Sequence, residues 1–324
     1  MTTEDNTLLF STNASSSDVI SFHEATIITI ELGLMVFICS GNLLTILTVW
    51  LTPSLRTVSN MYVVSLAVAD LLTGLNIPLQ IGIFIPSVRR AIDASKYLCL
   101  CRHVLFFVSI ENSILCMTLI ALDWWLYIVS PFYYLRIATS SKARLVVVCS
   151  WIVSVWAGTM PLYVNKWTVG VDCKLLNVLT KEYQLYLQGG GFVLCSLTIG
   201  FCYGHIFVVA RKYLKKVNGF QASAVNRKSR SSNDILRSDI KMVKMFILVF
   251  GAFFFCWFPT ILCLSIGYTY GVSYTILNYV IPVGILNSGL NFFIYVIRNR
   301  QFREALEKMV RKWRSVLEPD PVEL

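Results

Sequence analysis

The sequence predicts an all-α membrane protein, a seven-transmembrane helix bundle with a short amphipathic surface helix after the seventh span. Of its 324 residues, 56% are hydrophobic and only 14% are charged, whereas soluble domains carry about 25% charged residues. A helix needs about 20 apolar residues to cross the hydrocarbon core of a bilayer. Seven runs of sufficient length occur, at 25–51, 59–85, 98–129, 143–163, 184–210, 242–266 and 274–297.

The distribution of basic residues predicts how the bundle sits in the membrane. Of the 28 Lys and Arg residues, 21 fall on the side of the C-terminus and 7 on the other side, so the C-terminus is expected to be cytoplasmic. The first 24 residues contain no Lys or Arg and lack the apolar segment of a cleavable signal peptide. A glycosylation sequon begins at Asn13, which agrees with an extracellular N-terminus.

These features predict a multi-pass plasma membrane protein with three parts. Residues 1–24 form an extracellular tail, 25–297 the transmembrane domain, and 298–324 an amphipathic helix and cytoplasmic tail. Apolar residues recur at helical spacing in the last part, which favours a helix on the inner leaflet over a solvated helix. Between the fifth and sixth spans, residues 217–236 are polar and are expected to be largely disordered.

Several classes of function are disfavoured by composition. Most of the 10 Cys residues lie in apolar runs, where Cys behaves as a small hydrophobe. With only 3 His residues and no CxxC pair, a metal or His-dependent catalytic centre is not expected. No nucleophile and base constellation indicates an enzyme, and no inverted repeat indicates a transporter. The net charge of +10 lies in the loops, so membrane topology explains it better than nucleic-acid binding.

Polar side chains inside the apolar spans indicate function, because burying them in a bilayer is costly. They belong to motifs that occur in a characteristic order: Gly41-Asn42, Ser65 to Asp70, Trp151 with Pro161 ten residues later, Cys256-Trp257-Phe258-Pro259, and Asn287 to Tyr295. With these motifs the chain resembles the rhodopsin-like G-protein-coupled receptor family over all seven spans. The resemblance implies a receptor with a heterotrimeric G protein or arrestin as partner.

The resemblance also implies a buried sodium site beneath Trp257. Its four residues would be Asp70, Ser113, Asn287 and Asn291, and no other cofactor is implied. A hard cation prefers oxygen ligands, which a carboxylate, a hydroxyl and two amides supply. The alternative is a purely structural polar network that ties the spans together. Both interpretations are open at this point.

A disulfide between Cys99 and Cys173 is implied by the same resemblance, because Cys99 precedes Asp123 by 24 residues, as the corresponding family cysteine does. Cys101 is a rival partner for Cys173. Two residues along a helix turn a side chain by about 200°, so Cys101 would point away, and Cys99 is favoured.

The chain departs from the family at the face that contacts the G protein. The family's Asp-Arg-Tyr reads Asp123-Trp124-Trp125 here, and an indole cannot form the ion pairs of the missing arginine. Prolines of the fifth and seventh spans are also replaced, by Cys195 and Phe292. The face that the resemblance implies comprises Asp123, Trp124, Trp125, Tyr203, Asp239 and Tyr295. Weak coupling is therefore expected.

Within the family, the segments around 60–70 and 294–303 resemble adenosine receptors most, as does Glu31. Leu264 and Ile285 replace the Asn and His that those receptors use, which disfavours adenosine itself. Phe106 replaces the Asp of amine receptors, and 274–297 has no Lys for retinal. The predicted ligand pocket is lined by Gln80, Phe106, Phe107, Ile110, Gln188, Trp257, Thr260, Ile261, Leu264, Ile281 and Ile285.

A pocket with mainly apolar walls and a few polar groups fits a small, non-aminergic, neutral or lipid-like extracellular ligand. Glu111, in the middle of the third span, could face this pocket, pair with a neighbour or sit protonated in the bundle. Two functions compete: a ligand-binding receptor that signals through G proteins, and a receptor-like protein with weak or no coupling that acts as a decoy or dimer partner.

Overall fold

The computed structural model describes residues 20–221, 230–298 and 300–317. Between 210 and 249 side chains are described only for Arg211, Lys212 and Leu248, and at 294, 297, 298 and 315–317 only the backbone is described. Two predicted sites, Asn13 and the side chain of Asp239, lie outside this description. Their roles stay predictions.

The described chain is built almost entirely from helices. The α-helices are α1 Phe22–Leu51, α2 Val58–Ile81, α3 Pro86–Ala94, α4 Lys96–Val129, α5 Pro131–Ile137, α6 Ser140–Gly158, α7 Met160–Tyr163, α8 Leu175–Val178, α9 Gly190–Gln221, α10 Arg230–Tyr270, α11 Tyr274–Arg298 and α12 Arg300–Leu317. Short 3-10 helices follow α1 and α2, at Pro53–Leu55 and Gly82–Phe84, and a π-helix at Glu182–Gly189 leads into α9. Within the described residues the β-type pairing is an isolated bridge between Asn165 and Leu179.

Seven segments of these helices are long and apolar enough to cross a membrane. From the first span to the seventh they are Phe22–Leu51, Val58–Phe84, Lys96–Val129, Ser140–Tyr163, Glu182–Val209, Phe250–Tyr270 and Tyr274–Phe293. The predicted all-α seven-span bundle is confirmed, and α12 follows the seventh span as predicted. The described parts of 217–236 are helical, contrary to the expectation of disorder. Extending an existing helix costs far less than nucleating one.

The third span lies at the centre of the bundle. Its helix α4 packs against α2, α6 and α9, while α1 packs against α2 and α11, and α10 against α11. Gly158 permits a close approach of α6 to α4, because a Cβ there would lie 2.5 Å from Val108 Cγ2 and 2.7 Å from the Val108 backbone nitrogen. Small residues at such crossings are typical of membrane helix packing.

The last helix, α12, is amphipathic and packs against α11 and α1. Its buried face carries Phe302, Ala305 and Met309, and the ring of Phe302 lies 6.3 Å from that of Tyr295. Trp313, 40% exposed, adds apolar surface outside this contact. The helix therefore anchors one apolar face on the bundle and leaves further apolar surface for lipid.

Candidate functional site

A cavity of about 210 Å³ opens among the third to seventh spans, at the end of the bundle that carries the disulfide. Cavities of about 150 Å³ already hold a benzene-sized molecule. Nine of the eleven predicted pocket residues line it: Phe106, Phe107, Ile110, Gln188, Trp257, Thr260, Ile261, Leu264 and Ile281. The cavity thus has the size and position of a small-molecule site.

Aromatic side chains form much of the cavity wall. The ring of Phe106 lies 6.3 Å from that of Trp257, and the rings of Phe107 and Tyr183 meet edge to face at 5.4 Å. Gly284 makes room for the indole, because a Cβ there would lie 2.8 Å from Trp257 Cε3. Such rigid, apolar walls favour a flat or compact ligand body.

One corner of this cavity is polar and was only partly predicted. The Gln188 amide Nε2 donates to Glu111 Oε1 and to Tyr183 Oη, the latter at 2.7 Å. Gln184 is 3% exposed, and its Oε1 has no hydrogen-bond partner among the described residues. Of the three positions considered for Glu111, the structure shows two together, since Glu111 lines the cavity and pairs with a neighbour.

The π-helix at Glu182–Gly189 explains why Gln184 was missed. It bears Tyr183, Gln184 and Gln188, and its wider turn shifts which side chains face inward. The spacing of Gln184 four residues before Gln188 was the available signal, because residues i and i+4 share a helix face. Leu175, from the loop that carries Cys173, also lines the cavity, and no periodicity could have placed it there.

Two predicted pocket residues do not line the cavity. Gln80 instead pairs with Arg102: its Nε2 donates to the Arg102 carbonyl at 3.1 Å, and its Oε1 accepts from Arg102 Nη1 at 3.1 Å. Arg102 is only 4% exposed, and a buried guanidinium must have its donors satisfied. Ile285 is fully buried in the apolar core. Neither residue therefore lines the cavity, contrary to the prediction.

The Cys99–Cys173 disulfide is present, as predicted. Cys101 is exposed and free, which fits its expected position around the helix. The loop around Cys173 is held by two further contacts: its backbone nitrogen donates to Asp93 Oδ1 at 2.6 Å, and its carbonyl accepts from Arg102 Nη2 at 3.0 Å. The disulfide thus fixes the loop above the cavity to the third span.

Three of the four predicted sodium residues, Asp70, Ser113 and Asn291, meet in the centre of the bundle, and Asn287 is buried one turn before Asn291. Asp70 is fully buried and accepts hydrogen bonds from Ser113 Oγ at 2.9 Å and from Asn291 Nδ2 at 2.7 Å. The Oδ1 atoms of Asn287 and Asn291 are buried and have no partner among the described residues. A carboxylate, a hydroxyl and two unpartnered amide oxygens fit the preference of a hard cation such as Na⁺.

At the opposite end of the bundle, Asp123 is satisfied by neutral groups. It accepts from Ser59 Oγ at 2.5 Å and from Tyr134 Oη at 3.1 Å. Burial, with a further contribution from the charge of Asp123, raises the pKa of Tyr134 to about 12, so this hydroxyl stays protonated and can donate. Trp124 is half-buried and packs edge to face on Tyr127 at 5.7 Å. No cation is needed to hold Asp123.

The remaining predicted residues of this face also pack inward. The Trp125 indole donates to His205 Nδ1 at 3.0 Å and so connects the third and fifth spans. Tyr203 and Tyr295 are buried, with 6% and 3% of their surfaces exposed. Aromatic packing and these hydrogen bonds therefore hold this end of the bundle, where a further cavity is lined by Asp123, Tyr133 and Tyr134.

A seven-span bundle with a cavity at one end and a buried polar cluster around Asp70 beneath it is the architecture of one class of membrane protein, the seven-transmembrane receptors. The chain belongs to the family described as 7 transmembrane receptor (rhodopsin family), whose sequence model matches residues 41–295. It is therefore a multi-pass membrane receptor of this family and not an enzyme.

Similar proteins include several adenosine receptors. The chain is 28% identical to the adenosine receptor A2a of Canis lupus familiaris, over 88% of its own length and 72% of that receptor. It is 29% identical to the adenosine receptor A2b of Gallus gallus, with 89% of each chain covered. The adenosine receptor A3 of Ovis aries is 28% identical, over 90% of this chain and 91% of that receptor.

Proposed function

We propose that this protein is a cell-surface receptor that binds a small extracellular ligand in the cavity, without the amine contact that an Asp at the position of Phe106 would provide, and signals weakly through a G protein or arrestin. The observation that carries the proposal is the cavity itself, with aromatic walls and a polar corner at Glu111 and Gln188. In this proposal the N-terminus is extracellular and the C-terminus cytoplasmic, because the basic residues are concentrated on the C-terminal side.

Adenosine is not expected to be the ligand, although the similar proteins are named for it. Leu264 lines the cavity and Ile285 lies in the core, so the two positions that hold Asn and His in adenosine receptors offer no hydrogen-bonding side chain here. On an apolar wall the polar groups of the ligand lose water without gaining a hydrogen bond, which lowers the affinity. An adenosine response comparable with that of the A2a receptor would contradict this part of the proposal.

Weak coupling is expected because Trp124 stands where the family has Arg. The arginine would contribute a charge-assisted hydrogen bond of about 1.5–3 kcal/mol. Losing this hydrogen bond from both the resting and the active state need not change their populations, since only a difference in stabilisation between the two states does so. Asp123 already has neutral donors in Ser59 and Tyr134, so the fold does not depend on a cation at this position.

The test is Trp124→Arg in the full-length receptor. Basal and ligand-stimulated G-protein activation and arrestin recruitment are measured against surface expression, with a small-molecule library as the ligand source. We expect Trp124→Arg to raise G-protein activation more than it changes surface expression. The matched control is Trp124→Gln, which removes the same indole without adding a charge. Full coupling by the unmodified chain, equal to that of Trp124→Arg, would contradict the proposal.

The second candidate function is a receptor-like protein that acts as a decoy or dimer partner without coupling. The observation that favours it is the packing of the Trp124 ring on Tyr127 at the position where the family has Arg. This candidate predicts ligand binding without any G-protein or arrestin response in the unmodified chain. Co-expression with a coupling receptor, followed by measurement of that receptor's ligand response, separates a dimer partner from a decoy.

A further inference from the structure

We propose that the cavity selects ligands that present N–H hydrogen-bond donors to an acceptor corner formed by Glu111, Gln184 and Gln188. This inference rests on the proposed function, because it names the class of ligand for the same cavity. The class is a small molecule with an aromatic body and an N–H-bearing edge, such as an arylalkylamine or an aromatic carboxamide.

The Gln188 donors of the corner are used within the protein. The Gln188 amide nitrogen donates to both Glu111 Oε1 and Tyr183 Oη, which occupies its two N–H groups. Its Oε1 is then left as an acceptor. The hydroxyl of Thr260, elsewhere on the wall, donates to the Val280 carbonyl at 3.1 Å. These donors are engaged within the protein, whereas the Gln184 amide nitrogen is a further donor at the corner.

The corner also contains hydrogen-bond acceptors that no donor of the protein fills. Gln184 Oε1 is buried and has no partner among the described residues, and such an acceptor carries a desolvation cost until a donor reaches it. Of the described residues, Gln188 is the donor that reaches the Glu111 carboxylate, and a carboxylate has about four lone-pair sites on its two oxygens. The corner therefore has more acceptor capacity than the protein fills.

The charge of the residues that line the cavity disfavours anionic ligands. Glu111 is the one acidic residue among the described lining residues, and none of them is Lys, Arg or His. An anionic ligand would meet a carboxylate without any compensating cation, which is unfavourable in a site of low dielectric. Carboxylic acids are therefore disfavoured, whereas N–H donors, neutral or protonated, are favoured.

The aromatic side chains around the corner favour a ligand with an aromatic body. Phe106, Phe107 and Trp257 supply aromatic surface around the corner. Aromatic rings stack on such surfaces, and an ammonium group near them gains a cation–π contribution. A protonated amine could thus reach Glu111 from a different direction than in receptors that place an Asp where this chain has Phe106. A neutral carboxamide could do so as well.

The experiment uses four probes of one size on the purified full-length protein in lipid nanodiscs. They are benzylamine, benzamide, benzoate and toluene, which present a cationic donor, a neutral donor, an anion and no polar group. Binding is followed by the shift of the thermal unfolding midpoint and by ligand-observed NMR. We expect benzylamine or benzamide to bind at least about tenfold more tightly than benzoate and toluene, as for one added hydrogen bond to a charged group.

Two substitutions of Glu111 distinguish the two donor types. Glu111→Leu removes the acceptor and is expected to abolish the preference for both donor probes. Glu111→Gln keeps an acceptor oxygen without the charge. It is therefore expected to weaken the binding of benzylamine strongly and the binding of benzamide only a little. Glu182→Leu is the matched control, since Glu182 is an exposed carboxylate on the same π-helix. It is expected to leave all four affinities unchanged.

The outcomes separate this inference from the proposed function. If toluene or benzoate binds as well as both donor probes, or if Glu111→Leu leaves the donor preference intact, the acceptor corner is wrong while the cavity remains a binding site. If none of the four probes shifts the unfolding midpoint at millimolar concentration, the cavity does not accept small aromatic molecules. That result overturns the inference and also counts against the proposed function.

Discussion

At the scale of single residues, three acids of the second and third spans are held by neutral donors. Asp70 accepts from Ser113 and Asn291, Glu111 from Gln188, and Asp123 from Ser59 and Tyr134. Within a membrane bundle, an acid that lacks a cationic partner is costly unless hydrogen bonds satisfy it. Each of these acids has such bonds, and each lies where the chain's function is proposed.

Asp70 provides the residue-scale prediction. If the Asp70 cluster binds sodium, replacing choline chloride by sodium chloride at constant ionic strength raises the stability of the unmodified receptor. The gain is about 1 kcal/mol when the sodium concentration exceeds the dissociation constant fivefold. Asp70→Asn removes the carboxylate among the four predicted ligands and should abolish this gain, as measured by thermal unfolding in nanodiscs.

The control for this measurement is Thr73→Val, one turn along the same span. Thr73 is buried, and its hydroxyl donates to Ser109 Oγ at 2.9 Å rather than to Asp70. It should keep the sodium response. A sodium response that survives in Asp70→Asn would contradict the assignment of the site. A missing response in the unmodified receptor would leave the cluster with the structural role alone.

At the scale of secondary-structure elements, the crossing of the third and fourth spans depends on the absence of a side chain at Gly158. The neighbouring atoms belong to Val108, and two of the three nearest are backbone atoms, which cannot move aside as the end of a flexible side chain can. The two helices must therefore separate to admit even a methyl group, and Ala157 beside this glycine lines the ligand cavity.

Gly158→Ala is expected to destabilise the receptor by about 1–3 kcal/mol, the usual cost of overpacking a well-packed contact. The matched control is Gly200→Ala in the fifth span, where a Cβ would meet no heavy atom within 4 Å. That change should be neutral or stabilise by up to about 1 kcal/mol, because Ala favours the helix over Gly. Equal unfolding midpoints for the two variants would show that Gly158 is not a close-packed crossing point.

At the scale of the whole molecule, the disulfide and the buried Arg102 join the loop above the cavity to the bundle. Cys99 and Cys173 are separated by 74 residues, and Arg102 connects the carbonyl of Cys173 to Gln80 of the second span. The loop is therefore linked to the third span by the disulfide and to the second span through Arg102. Since Leu175 of this loop lines the cavity, the shape of the ligand site depends on these links.

Replacing Cys173 by Ser is expected to lower the midpoint of thermal unfolding. It is also expected to weaken the binding of any ligand that fills the cavity. In the chain-entropy view, opening a loop of this length costs up to about 4 kcal/mol; membrane insertion of the intervening spans already restricts the chain and reduces that figure. Cys101→Ser is the control, because Cys101 is exposed and free. Equal stability of the two variants, before and after reduction, would contradict a stabilising role for the disulfide.

Much of this molecule could be read from its amino acids in order along the chain. The length and composition of the apolar runs predicted seven spans, because each helix satisfies its own backbone within the membrane and needs no distant partner. Local spacing predicted the apolar face of α12. The motifs around Asp70, Trp257 and Asn291 predicted the family, and the structure brings Asp70, Ser113 and Asn291 together.

Side-chain partners were decided by the packing of the helices. Gln80 does not line the pocket because the buried Arg102 donates a hydrogen bond to its side-chain oxygen. Gln184 faces the pocket because it lies on the π-helix. Asp123 accepts a hydrogen bond from Ser59, which is 64 residues away in the sequence. Such pairings depend on where helices cross and how each is rotated, and the residue spacing within one span constrains neither.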